Sequence, residues 1–185
     1  RHGGGGEEQW WRGTIMWGAV GLVALVGVVF LLLQPQVVSP EKDNSPSLPG
    51  DFFPSQGNYH LKTGETFNAY NSNPPTSGPH DPSEVEWGIY DEPQPRVRLI
   101  HNMEHGGVII WYNCPGCEDI INRLKAITKE YQGKGMRIVL TPYPNMEARI
   151  AVTSWTRLLK MEQINEDAIR RFVEVHERRY NPEGV

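Results

Sequence analysis

The sequence has no excess of positive charge: 18 lysines and arginines stand against 22 aspartates and glutamates, a formal net charge of −4 over 185 residues. That balance excludes a basic nucleic-acid surface, so no nucleic-acid partner is expected. Cysteine is scarce: two residues are present, enough for one disulfide if the domain lies outside the cytoplasm. No internal repeat is found, and the length suits one domain with attachments rather than two. Nothing in the chain calls for a nucleotide or a flavin.

Charge is also missing from one stretch. Residues 14–33 read T-I-M-W-G-A-V-G-L-V-A-L-V-G-V-V-F-L-L-L. At about 1.5 Å per residue, such a run crosses the ~30 Å hydrocarbon layer once. Trp10, Trp11 and Trp17 lie at one end, where amphipathic indoles favour lipid headgroups. The run is long for a signal-peptide core and no small-x-small site follows it, so a retained single-pass anchor is expected. Arg1 and Arg12 precede it, which places the N-terminus in the cytoplasm and the main domain outside, at the cell membrane.

The remaining organisation follows from composition. Residues 1–13 form a tail, 14–34 the transmembrane helix, 35–55 a proline-rich tether, 56–180 the extracytoplasmic domain and 181–185 a second tail. Residues 55–95 are rich in loop formers, including N-S-N-P-P-T-S-G-P-H at 71–80. Tyr59, Phe67, Tyr70, Trp87 and Tyr90 are the side chains able to pin that segment in place. Strands are expected at 97–100, 108–112, 136–140 and 150–155. Ile120, Leu124, Ile127 and Tyr131 follow a helical stripe that Gly133 ends, with Pro115 suited to the first turn. A last helix begins after Asn165 as N-cap, with Ile164 placed to staple onto Ile169. The order predicts an α/β fold: a small mixed sheet with flanking helices and a right-handed parallel crossover.

Cys114-Pro-Gly-Cys117 stands where a strand meets a helix, a position that favours a thiolate. The stretch V-I-I-W-Y-N-C-P-G-C-E-D-I-I-N-R-L-K-A-I resembles the strand–CxxC–helix unit of thioredoxin-like proteins. The resemblance implies a thioredoxin-like fold and allows thiol–disulfide chemistry. Two departures stand out. Asn113 replaces the tryptophan usual before the first cysteine, and Ala148-Arg149 stand where a proline precedes the third strand. The pair is therefore open to three uses: a local disulfide, a redox centre or thiolate ligation of a metal.

Four of the six histidines, His60, His80, His101 and His105, lie between residues 60 and 105. The densest piece is H-N-M-E-H-G-G at 101–107. In a helical turn His101 and His105 share a face; in an extended chain His101, Met103 and His105 do. His80 ends the proline loop and can add a third nitrogen. Imidazoles suit zinc, copper, iron or nickel, and the Met103 thioether would shift the preference toward Cu(I). Glu104 is a further ligand or a partner to an imidazole. It is misplaced for the H-E-x-x-H pattern of zinc hydrolases. The expected metal set is His80, His101, Met103, Glu104 and His105, with copper or zinc as the ion.

P-P-T-S-G-P-H at 74–80, W-G-I-Y at 87–90 and H-N-M-E-H-G-G-V at 101–108 together resemble the bacterial domain-of-unknown-function 3105 family. The resemblance spans about residues 56–176. It implies a membrane-anchored extracytoplasmic protein and points to His80, His101, Glu104 and His105, with His60 and Tyr70 as weaker matches. The cysteine pair is not among the family's defining features. The functional expectation is a metal-binding accessory or assembly subunit of a larger membrane complex, in contact with lipid and other membrane subunits, rather than an enzyme. The alternative is a thiol–disulfide oxidoreductase using Cys114 and Cys117. The histidines and cysteines are expected to form two separate features.

Overall fold

The computed structural model describes Ser39 and residues 42–181. Within it run β1 (Asp51–Phe52), α1 (Arg96–Glu104), β2 (Val108–Tyr112), α2 (Glu118–Gly133), β3 (Ile138–Pro142), β4 (Ile150–Ser154), β5 (Arg157–Met161) and α3 (Glu166–His176). The expected anchor at 14–34, with Trp10, Trp11 and Trp17, lies outside the described residues. Among the described residues no helix is long and apolar enough to cross a membrane.

The strands form one mixed sheet in the order β1-β5-β4-β2-β3. β2 is its centre. It pairs in parallel with β3 in the register Val108↔Ile138 and antiparallel with β4 in the register Ile110↔Val152. All five β2 residues are buried, as expected for a strand covered on both faces. Side chains alternate across it. Val108, Ile110 and Tyr112 join one core cluster with Leu124 and Ile127 of α2 and Phe172 of α3. Ile109 and Trp111 join the other, with Leu99, Ile100 and Met103 of α1. Helices α2 and α3 thus cover one face, and α1 with the loop-rich segment covers the other.

The expected parallel crossover is present, from β2 to β3 at the sheet edge, while the antiparallel β4 lies inside the sheet. The cap of α3 is also as read: Asn165 Oδ1 accepts from the Ala168 amide at 3.1 Å. Four readings need correction. Residues 97–100 belong to helix α1, not to a strand. V-R-L-I looks β-like alone, but Leu99, Ile100 and Met103 recur at helical spacing after Pro95. Helix α2 starts at Glu118, leaving Pro115 and Gly116 in the preceding turn. The third expected strand sits two residues later, at Ile138–Pro142, because its register is set by β2.

The fourth correction concerns β4, which ends at Ser154 and turns through Trp155 and Thr156 into β5, a strand not anticipated. Thr156 adopts φ 64° without a glycine to announce the turn.

The C-terminal end of the proline-rich segment docks on the domain. Buried Arg157 donates to the carbonyls of Asp43, Ser45 and Gly50, and Asp51–Phe52 adds an edge strand to β5.

Candidate metal centre

Three chain segments deliver the histidines. The first two meet through backbone pairing outside the sheet. His60 and His80 form a parallel bridge, with the Leu61 amide donating to His80 O at 2.7 Å and the His80 amide to Tyr59 O at 3.0 Å. The proline loop before His80 is buried, not a solvent-exposed connection. Its Ser77 Oγ accepts from the Gln56 amide, and the Tyr70 hydroxyl donates to Pro79 O at 2.7 Å. Among the five aromatics expected to pin the segment, Tyr70, Trp87 and Tyr90 pack against the core. Phe67 packs edge-on against Tyr70, whereas Tyr59 is half exposed.

The third segment is the last turn of α1. Because it is helical, His101, Glu104 and His105 share a face at spacings of three and four residues. Met103 is rotated roughly 200° from His101 around the helix and is fully buried in the apolar core. The thioether therefore faces away from the imidazoles, and the extended alternative that would have included it does not occur. The two glycines then admit close neighbours. Gly106 has φ 80°, and a Cβ there would lie 2.8 Å from Arg178 Cα; one on Gly107 would lie 2.5 Å from the Trp87 ring. Asn102 is also fully buried. It donates to Val85 O and accepts from the Val85 amide, so the loop carrying Glu84 is fixed to α1.

His60, His80, His101 and Glu104 bring one ligand atom each within 4.8 Å of one another, a buried group able to hold a metal ion. Glu104 Oε2 is the hub. His80 Nε2 lies at 3.0 Å, His60 Nε2 at 3.2 Å and His101 Nδ1 at 3.8 Å, while Asn58 Nδ2 donates to Oε1 at 2.8 Å. Exposure grades sharply: His80 and Glu104 are sealed, whereas the His60 side chain is 40% exposed. Burial alone would raise the Glu104 pKa, but hydrogen bonds with His80, Asn58 and His60 outweigh it and hold the carboxyl at about 2. His101 is held below the usual imidazole range, first by burial and then by His105 and His80.

The protonation geometry tests the fit of an ion. His80 Nδ1 is 2.8 Å from Gly78 O, an acceptor, so Nδ1 carries a proton. A neutral His80 then has a bare Nε2 facing an ionised carboxylate oxygen. Two acceptors at that separation require a cation between them: a proton, which makes His80 an imidazolium, or a metal. His101 Nδ1 is buried beside the same carboxylate without a hydrogen-bond partner. Three imidazole nitrogens and a carboxylate are a donor set suited to first-row divalent ions.

His105 does not join these four. It meets the other edge of the His101 ring, Nε2 to Nε2 at 2.8 Å, and groups there with Glu84. Sequence reasoning therefore under-weighted His60 and missed Asn58 and Glu84. The pairing of His60 with His80 is a tertiary event that no local pattern announces.

Cys114 and Cys117 form a disulfide with a Cα–Cα distance of 5.6 Å. It follows the C-terminal end of β2, whereas the histidine-bearing turn precedes its start. No cysteine belongs to either histidine group among the described residues, and the two features are separate as expected. Both cysteines are buried, but Cys114 lines an open groove of about 440 Å³ with Asn113, Pro115 and Pro142.

No match was found among curated proteins or among solved structures. The family described as "protein of unknown function (DUF3105)" matches residues 60–185, from the first of the four clustered donors through the final helix, and the chain belongs to that family.

Proposed function

We propose that this protein is a metal-binding, membrane-anchored extracytoplasmic subunit whose ion is held by His60, His80, His101 and Glu104. The observation that carries the reading is the convergence of His80 Nε2, His60 Nε2 and a buried His101 Nδ1 without a hydrogen-bond partner on the one oxygen Glu104 Oε2. With Met103 turned away, the argument for Cu(I) lapses. Nitrogen and oxygen donors favour a divalent ion, and copper binds such sets more tightly than zinc. When bound, the ion would supply a fixed positive charge at Glu104. Gly78 O orients His80 and Asn58 orients Glu104, so both ligands are pre-set.

The rest of this reading stands on other supports. The strand order β3-β2-β4-β5, with CxxC after β2, supports a thioredoxin-like domain. The apolar run at 14–33 supports a single-pass anchor at the cell membrane with the domain outside. A metal-holding domain behind an apolar anchor run suits an accessory or assembly role beside other membrane subunits. Elemental analysis of the full chain after loading and desalting tests the metal claim. Retention of copper or zinc that is lost in His80→Ala supports it; a chain that retains neither overturns it.

A second reading has its own support in the groove beside Cys114. As an oxidoreductase, the disulfide would accept two electrons and two protons from a dithiol substrate, which leaves as a disulfide. Oxidation of a model dithiol, abolished by Cys114→Ser, supports this; an inert bridge overturns it.

A further inference from the structure

One imidazole in this protein serves two clusters. His101 turns Nδ1 toward Glu104 Oε2 at 3.8 Å. Its Nε2, on the opposite edge, is 2.8 Å from His105 Nε2 and 3.7 Å from Glu84 Oε2. Glu84, His101 and His105 form a second convergent group, with all ligand atoms within 4.8 Å. The two groups share only His101.

Consider the His101 proton. If Nδ1 binds the ion proposed above, the neutral ring carries its proton on Nε2. That proton can be donated to His105 Nε2, which makes His105 a simple orienting partner. It cannot also serve the Glu84 carboxylate, which converges on the same nitrogen at a distance too long for a hydrogen bond. A divalent cation in place of the proton would engage all three donors. Glu84 is moreover held there: it adjoins Val85, which is bonded through both backbone groups to buried Asn102 of the same helix turn.

We propose that Glu84, His101 and His105 form a second divalent-cation site, and that the His101 ring bridges the two ions as an imidazolate. The inference rests on the four-donor reading above. The balance is simple: the second ion forms a bond to Nε2, the N–H bond breaks, and the proton leaves to water. Glu84 is half exposed, so this outer site opens to solvent.

The test titrates the full chain with Cu²⁺ alone and follows bound copper together with its electron paramagnetic resonance. Two ions per chain are expected. The signal from the first should weaken as the second loads, because an imidazolate couples the two spins. Glu84→Gln changes an exposed side chain and leaves the packing intact; it should weaken the second ion by more than about a hundredfold, beyond the cost of losing an outer-shell partner alone. Adding His105→Gln should leave one ion with an uncoupled signal. One ion in the wild type, unchanged in both variants, overturns the second site and leaves the four-donor reading standing. Two ions that stay uncoupled or survive both substitutions also overturn it. A chain that binds no copper overturns the second site, and one that retains no zinc either overturns the four-donor reading with it.

Discussion

Glu104 Oε2 stands 3.0 Å from His80 Nε2, with both groups sealed from solvent and the other His80 nitrogen committed to Gly78 O. Whatever cation lies between them, each group is costly to leave alone. Glu104→Ala should abolish metal retention and also destabilise the metal-free chain by about 3 kcal/mol, the scale for removing one partner of a buried pair. Urea unfolding without metal separates the second effect from the first.

Metal loading should stabilise the fold. At a free ion concentration of 100 times Kd, the expected gain is about 2.7 kcal/mol. For a domain of this size that raises Tm by several degrees. A chelator should reverse the shift, and the His80→Ala chain should show none. A thermal melt with and without ion reads all three.

Acid should lower the stability of the metal-free chain over two pH windows. His176 is buried and donates Nε2–H to Pro49 O while Arg157 and Arg179 oppose its charging; burial is the larger cause, and the ring titrates at about 4 instead of 6.5. The unfolded chain takes up that proton first, so stability falls as pH drops from 6.5 toward 4, by about 3 kcal/mol at 1.36 kcal/mol per unit. His101, also held low, adds in the same direction. Glu104 works over a lower window: its stabilisation is complete above 4.5 and lost as pH falls toward 2. His176→Gln should flatten much of the fall over the upper window and leave that over the lower one. Urea midpoints measured across pH would show whether it does.

Gly107→Ala should be among the most damaging single-atom additions. The new Cβ would meet the Trp87 ring at 2.5 Å and the Asn102 carbonyl at 2.7 Å. Loss of about 2 kcal/mol is expected from overpacking of this kind. The same substitution at Gly133, where a Cβ meets nothing within 4 Å, is the control and should be close to neutral. Denaturant unfolding of the two variants makes the comparison.

Much of the αβ framework was legible because its cues are local. The V-I-I-W-Y run, the helical stripe from Ile120 to Tyr131 and the Asn165 cap all carry a period or a capping group within a few residues. Helix α1 was hidden because Leu99 through Glu104 are all buried, polar residues included, so hydrophobic periodicity shows only part of its inner face. β5 was hidden because Thr156 makes a left-handed turn with no glycine or asparagine to mark it. At the candidate site, His101 and Glu104 could be named from the glycine-flanked H-x-x-E-H run, and His80 from its place at the end of the proline loop. The exclusion of Met103 required the helix. The arrival of His60, Asn58 and Glu84 required the long-range pairing of segments that have no regular structure of their own.

That pairing bears on how the loop-rich segment keeps its shape. Among the described residues, its backbone pairs with the main sheet through an isolated bridge from Ile89 to Leu140, and its two central histidines meet through another bridge of the same kind. An ion shared by His60, His80 and the end of α1 would act as a crosslink, closing two long loops and removing configurational freedom from the unfolded chain. The order of residues 57–80 would then depend on occupancy more than does the order of the strands beneath them. Protease resistance and amide exchange in that segment would report the presence of the ion, while the sheet would register it weakly.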